Sequence, residues 1–173
     1  MLKTFGALLI LIAGILFGLF QSQSLARRPK QLRQLGLALK RLETEIGYGA
    51  TPLPEALKTS AVSLSPPLAA IFLDAAERMT EPGTVRTAAE CWSAAVQRGF
   101  PRTALKEPER EAILQLGATL GISDTQDQLK HLHLALHHLA VEESHASDEE
   151  RQYGKMWKSL GVLGAALVVV IML

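Results

Sequence analysis

Residues 27–53 read RRPKQLRQLGLALKRLETEIGYGATPL, and this stretch decides the fold. Leu32, Leu35, Leu39, Leu42 and Ile46 recur at alternating steps of three and four, so all five share one side of a helix. Pro29 suits the first turn of that helix, where a missing N–H costs no intrahelical bond. Gly47-Tyr48-Gly49 and Pro52 stop it, because glycine tolerates positive φ and proline cannot continue the ladder. The stretch opens on Arg27, Arg28, Lys30 and Arg33, and no acid follows until Glu43. A positive collar therefore feeds an amphipathic helix.

Downstream, breakers divide the chain. Thr51 is expected to cap a short helix that begins at Pro52-Leu53-Pro54-Glu55 and runs to about Ala61. Ser65-Pro66-Pro67 starts the next, with Leu68, Ile71, Phe72, Ala75 and Met79 inward, and Glu81-Pro82-Gly83 ends it. Thr84 caps a fourth, whose apolar stripe is Val85, Ala88, Cys91, Trp92 and Ala95, and Gly99-Phe100-Pro101 breaks it. Pro108 starts a fifth, carrying Ile113, Leu114, Leu116, Gly117 and Leu120 and closed by Gly121. Ser123 or Asp124 caps the last, which contains no proline or glycine before Gly154. Period-two runs of β-branched residues are absent outside the apolar tail. The reading is all-α: an antiparallel bundle of about six helices with short connections.

The two ends are different in kind. Thr4–Phe20 and Ser159–Leu173 carry no charge. As helices they are about 25 Å and about 22 Å long, near the lower limit for crossing a bilayer. Trp157 suits the interface of the second. The collar follows the first segment, and Lys155 and Lys158 precede the second. The positive-inside rule then places the middle of the chain in the cytoplasm and both ends beyond the membrane. The expected organisation is an N-terminal transmembrane anchor over residues 1–26, a cytoplasmic bundle over 27–158 and a C-terminal anchor over 159–173. Ser24-Leu25-Ala26 also resembles a signal-peptide cleavage site, but arginines directly after such a site impede export, so the anchor is preferred. Gly14 and Gly18 are spaced as G-x-x-x-G, and Gly161 and Ala165 match its small-residue version, so these four are candidates for close helix packing in lipid.

Composition excludes several function classes. A net charge of +1 over 173 residues argues against nucleic-acid binding. The single cysteine, Cys91, forms no intrachain disulfide and reads as a small buried residue. No G-x-S-x-G and no G-x-x-x-x-G-K-[ST] occurs, so neither a nucleophile elbow nor a phosphate loop is present. Neither catalysis nor a cofactor is expected.

The competing reading is a membrane-anchored metal-dependent enzyme built on His131, His133, His137 and His138. His133 and His137 share a helix face, but the intervening Leu134, Ala135 and Leu136 lack the glutamate of H-E-x-x-H, and no third ligand is identifiable. Surface histidines beside the stripe Leu129, Leu132, Leu136 and Leu139 are preferred. Glu142, Glu143, Asp148, Glu149 and Glu150 form an acidic block, read as a solvated face or as a dock for a basic partner. Arg28 and Arg33 serve topology, lying against anionic lipid, and are candidate partner contacts. Glu43, Glu45, Tyr48 and Thr51 join them, with Lys40–Glu43 and Arg41–Glu45 able to pair along the helix. Tyr48, between two glycines, suits core anchoring or a partner contact, and core anchoring is preferred.

These residues resemble the stage III sporulation protein AB family of endospore-forming bacteria. The resemblance covers nearly the whole length. It is carried by Met1-Leu2-Lys3 with Gly6-Ala7, by Arg28-Pro29 with Leu32-Arg33-Gln34-Leu35, and by Leu42-Glu43 through Tyr48-Gly49 to Thr51-Pro52-Leu53. It continues in Leu116-Gly117 with Leu120-Gly121, in His131 with Leu134-Ala135 and Leu139, in Glu142-Glu143, and in Lys155-Met156 with Lys158-Ser159-Leu160-Gly161. That family is similar to the cytoplasmic domain of the F-type inner-membrane platform proteins of secretion and pilus systems, a helical bundle. The resemblance implies a non-catalytic scaffold in the mother-cell membrane facing the forespore, one component of a channel complex. Its implied partners are a sporulation-specific secretion-type ATPase, the other membrane proteins of that complex and the bilayer. A single bundle where secretion platforms carry two implies a homo-oligomer.

Overall fold

A computed structural model describes residues 2–48, 51–82, 86–121 and 125–172, without the side chains of 2–11, 158, 161, 165, 169, 171 and 172. Among the described residues the chain is all-helical, with no strand: α1 (Leu2–Tyr48), α2 (Leu53–Ala61), α3 (Pro66–Thr80), α4 (Ala88–Gly99), a 3-10 turn (Phe100–Arg102), α5 (Glu107–Thr119) and α6 (Thr125–Met172). It divides into two compact units, Met1–Pro29 with Ser144–Leu173, and Lys30–Glu143.

The larger unit is the bundle. Leu32, Leu35, Leu39 and Leu42 of α1 are each at most 1% exposed, so the leucine spacing that predicts the helix also predicts its buried face. They share the core with Leu57, Leu68, Phe72, Trp92, Leu116, Leu132 and Leu139 from the other five helices. Full burial of one such leucine is worth about 1.5–3 kcal/mol. At the centre, the Phe72 and Trp92 rings meet edge to face at 5.2 Å, and the Trp92 indole N–H donates to the Ile113 carbonyl at 2.8 Å. Cys91, next to Trp92 in sequence, is fully buried. Gly117 and Gly99 are close-approach positions: a Cβ on the first would enter the Trp92 indole, and one on the second would enter Ile71.

Helix ends follow the breakers, with local corrections. Pro66 and Pro108 sit in first turns, and Gly121 follows α5 at φ 79°, the left-handed conformation that closes a helix. The cap of α4 is Thr87: its Oγ1 accepts from the Glu90 N–H at 3.2 Å, and its own N–H donates to Glu90 Oε2 at 2.9 Å. Thr84, Val85, Ser123, Asp124, Gly49 and Gly83 lie outside the described residues. Thr51 is not the cap of α2. Pro52 holds that position, and the Thr51 hydroxyl donates to Glu45 Oε2 at 3.1 Å.

Pro29 does not open a helix; it lies inside α1. It removes one backbone bond, a cost of about 3 kcal/mol that packing has to offset, and it is buried. Tyr48 is 94% exposed, which overturns core anchoring. The ring stands in solvent at the end of the helix.

In the smaller unit the start of α1 and the end of α6 run antiparallel. Phe17 meets Trp157 edge to face at 6.3 Å, Gly154 faces Ser22, and Arg28 pairs with Glu149. Outward from this pair lie Leu16, Phe20, Leu163, Leu167 and Val170, each at least 59% exposed. Among the described residues no helix is long and apolar enough to cross a membrane. Within the expected spans Thr4–Phe20 and Ser159–Leu173, the side chains of 4–11, 161, 165, 169, 171 and 172 are not described and Leu173 lies outside the described residues.

Candidate functional site

The basic collar and the acidic block, far apart in sequence, meet across α1 and α6. Within the bundle, Arg33 Nε and Nη2 donate to the same oxygen of Glu143, Oε1, at 2.9 and 2.8 Å. Within the smaller unit, Arg28 Nη1 donates to Glu149 Oε2 at 3.3 Å, with the Arg28 side chain only 9% exposed. Two candidate contacts thus have partners in this chain. Glu142 is half-buried and engaged as well.

Farther along the same pairing, Glu43 Oε1 lies 2.8 Å from His133 Nε2, and Gly47 packs on Leu129. Glu43 therefore faces α6 rather than Lys40, and Glu45 faces Thr51 rather than Arg41. The pairing of α1 with α6 in the bundle is antiparallel: Arg33 with Glu143, Glu43 with His133, Gly47 with Leu129.

The histidines do not converge. His133 turns to Glu43, while His131 sits 3.7 Å from Asp127 one turn before it. His131, His137 and His138 line a groove of about 680 Å³ between α5 and α6, with Glu107 and Glu111 opposite. Among the described residues no three His, Cys, Asp or Glu side chains are placed to hold one metal ion. Gly18 is buried and Gly14 half-buried in the smaller unit, while the side chains at Gly161 and Ala165 lie outside the described residues.

Several polar residues hold the fold without any motif to announce them. Gln31 Oε1 accepts from the Ala104 N–H at 2.7 Å and Gln34 Oε1 from the Ser65 N–H at 3.1 Å, so α1 supplies acceptors to two loop amides. Their only sequence signal is a glutamine on each flank of the leucine stripe. Glu109, fully buried, accepts from the Lys106 N–H at 2.6 Å and closes the start of α5. Asp74 accepts from Arg78 Nε at 3.0 Å and faces Arg98 at 3.7 Å. The hydrogen bond that Arg78 donates to Asp74 holds its guanidinium above its ordinary pKa.

Fold and surface together define an all-α bundle in which α1 and α6 pair antiparallel through Arg33–Glu143 and Glu43–His133. A sequence model of the stage III sporulation protein AB family matches residues 3–173, and the chain belongs to that family. It is 35% identical to stage III sporulation protein AB of Bacillus subtilis (strain 168), over the whole of both chains. It is similar to a solved structure of stage III sporulation protein AB at 36% identity and TM-score 0.67, covering 73% of this chain and 98% of that one. The role is therefore in sporulation.

Proposed function

We propose that the chain is a non-catalytic, membrane-anchored platform of a sporulation channel complex. Residues 1–26 and 159–173 are its anchors, and residues 27–158 form a cytoplasmic bundle on the mother-cell membrane facing the forespore. The bundle docks a secretion-type ATPase, and the anchors contact other membrane proteins or further copies of the chain.

The observation that carries this reading is the outward apolar surface of the smaller unit. Leu16 and Phe20 on one helix and Leu163, Leu167 and Val170 on the other face away from their own pair. A continuous surface of that kind needs lipid or protein to cover it. The charge-free sequence around both groups and the flanking basic residues favour lipid. Resemblance to F-type platform proteins supports the ATPase as the docked motor.

The test is labelling with a membrane-impermeant maleimide. A cysteine placed at exposed Val62 should stay unlabelled in intact protoplasts and react after lysis. Labelling in intact protoplasts overturns the topology. Release of the chain by carbonate at high pH overturns the anchors.

A further inference from the structure

On the outward side of α1 within the bundle, Lys30, Arg33, Leu37, Lys40, Thr44 and Tyr48 are all exposed. Their steps of three and four put them on one stripe. Leu37 is 57% exposed at its centre. Lys30 and Lys40 pair with no acid among the described residues; Glu143, on Arg33, borders the stripe, and Glu43 beside it is turned to His133.

Gly36 stands beside Leu37. A Cβ built on it would meet nothing within 4 Å, so no packing inside the chain requires glycine there. A helix interior disfavours glycine relative to alanine, so the residue is unexplained by the fold. Its missing side chain opens a notch of about 170 Å³ between α1 and α6. The notch is floored by Leu32, Leu136 and Leu139 and rimmed by Arg33, Lys40 and Glu143. A cavity of about 150 Å³ lined by aliphatic residues accepts benzene. The notch therefore has room for one leucine- or phenylalanine-sized side chain.

We infer that this stripe docks an acidic amphipathic helix of a partner protein, which seats one apolar side chain in the notch at Gly36 and sets carboxylates against Lys30, Arg33 and Lys40. Charge selects this occupant. A second copy paired about a two-fold axis would set the basic stripe against itself, and like charges at close range are unfavourable; a head-to-tail copy would have to offer its acidic block, where Glu142, Glu143 and Glu149 are already engaged within their own chain. An anionic lipid surface would accept the lysines but has no use for a notch, and Leu37 with the Tyr48 ring about three turns away is too little apolar surface for interfacial insertion. Helix-in-groove recognition uses an apolar anchor with flanking charge. The inference deepens the platform reading and rests on it by giving the class of partner. Binding to purified chain does not depend on membrane sidedness, so the two can fail separately.

The test uses the full chain in zwitterionic nanodiscs and a stapled, fluorescently labelled helical peptide with one central leucine flanked by glutamates. Saturable binding is expected. Gly36→Leu should fill the notch and weaken binding at least tenfold, with an unchanged circular dichroism spectrum. Lys40→Glu should weaken it similarly, and a peptide with lysine in place of only the glutamate opposite position 40 should recover affinity for Lys40→Glu alone. Replacing the central leucine of the peptide by alanine should mimic Gly36→Leu. No binding, or binding indifferent to Gly36→Leu, overturns the inference. So does preferential capture of vesicles containing phosphatidylserine, or self-association of the nanodiscs that Gly36→Leu abolishes.

Discussion

Gly117 faces Trp92 with no space between them: a Cβ on the glycine would lie within 2.6 Å of the indole Cγ and Nε1. The glycine lets α5 approach α4 closely enough for the indole N–H to reach the Ile113 carbonyl. Gly117→Ala should therefore destabilise the bundle, although alanine is the better helix former. Overpacking typically costs about 1–3 kcal/mol, against the ~1 kcal/mol that alanine gains in propensity. Urea unfolding should show a lower midpoint at unchanged slope.

Trp92→Phe keeps an aromatic ring against Phe72 but removes the N–H donor. The expected loss is about 1–3 kcal/mol from the hydrogen bond and the vacated volume. A melting temperature lowered by roughly 2–4 °C per kcal/mol would register it.

Gly36→Ala has the opposite sign. The Cβ enters open space, so the free protein should gain about 0.5–1 kcal/mol and melt at a higher temperature. A loss of stability would show that the glycine serves the fold after all.

The Arg33–Glu143 pair should contribute little. Arg33 is 64% exposed, and its two bonds converge on one oxygen. A double-mutant cycle with Arg33→Ala and Glu143→Ala should give a coupling below about 1 kcal/mol, falling with added salt. That weakness leaves Arg33 available to an incoming carboxylate.

Gln31→Leu takes the acceptor from the Ala104 N–H, which is part-buried. The expected loss is about 1–3 kcal/mol, and amide exchange at Ala104 should accelerate.

Local chemistry made much of the fold readable. The leucine spacing from Leu32 to Leu42 carries the helix and its buried face, and Pro66, Pro108 and Gly121 mark ends because each restricts or frees one φ angle. Pro29 was misleading for a tertiary reason: proline is locally suited to a first turn, and only packing can retain it inside a long helix. Tyr48 failed similarly, since a ring at a bend has no preference for the core until the neighbours are known. The candidate contacts were visible as charge, but not as pairs. Arg33 and Glu143 are 110 residues apart, and no helical period links them. Gln31, Gln34 and Glu109 were invisible because a polar side chain that satisfies one backbone amide leaves no pattern.

Cys91, the one thiol of the sequence, is sealed inside the bundle. A thiol reagent can reach it only when the helices part, so its modification rate under native conditions is a clock for that opening. The same silence makes the natural chain a ready background for introduced cysteines, since its one native thiol is buried and can stay.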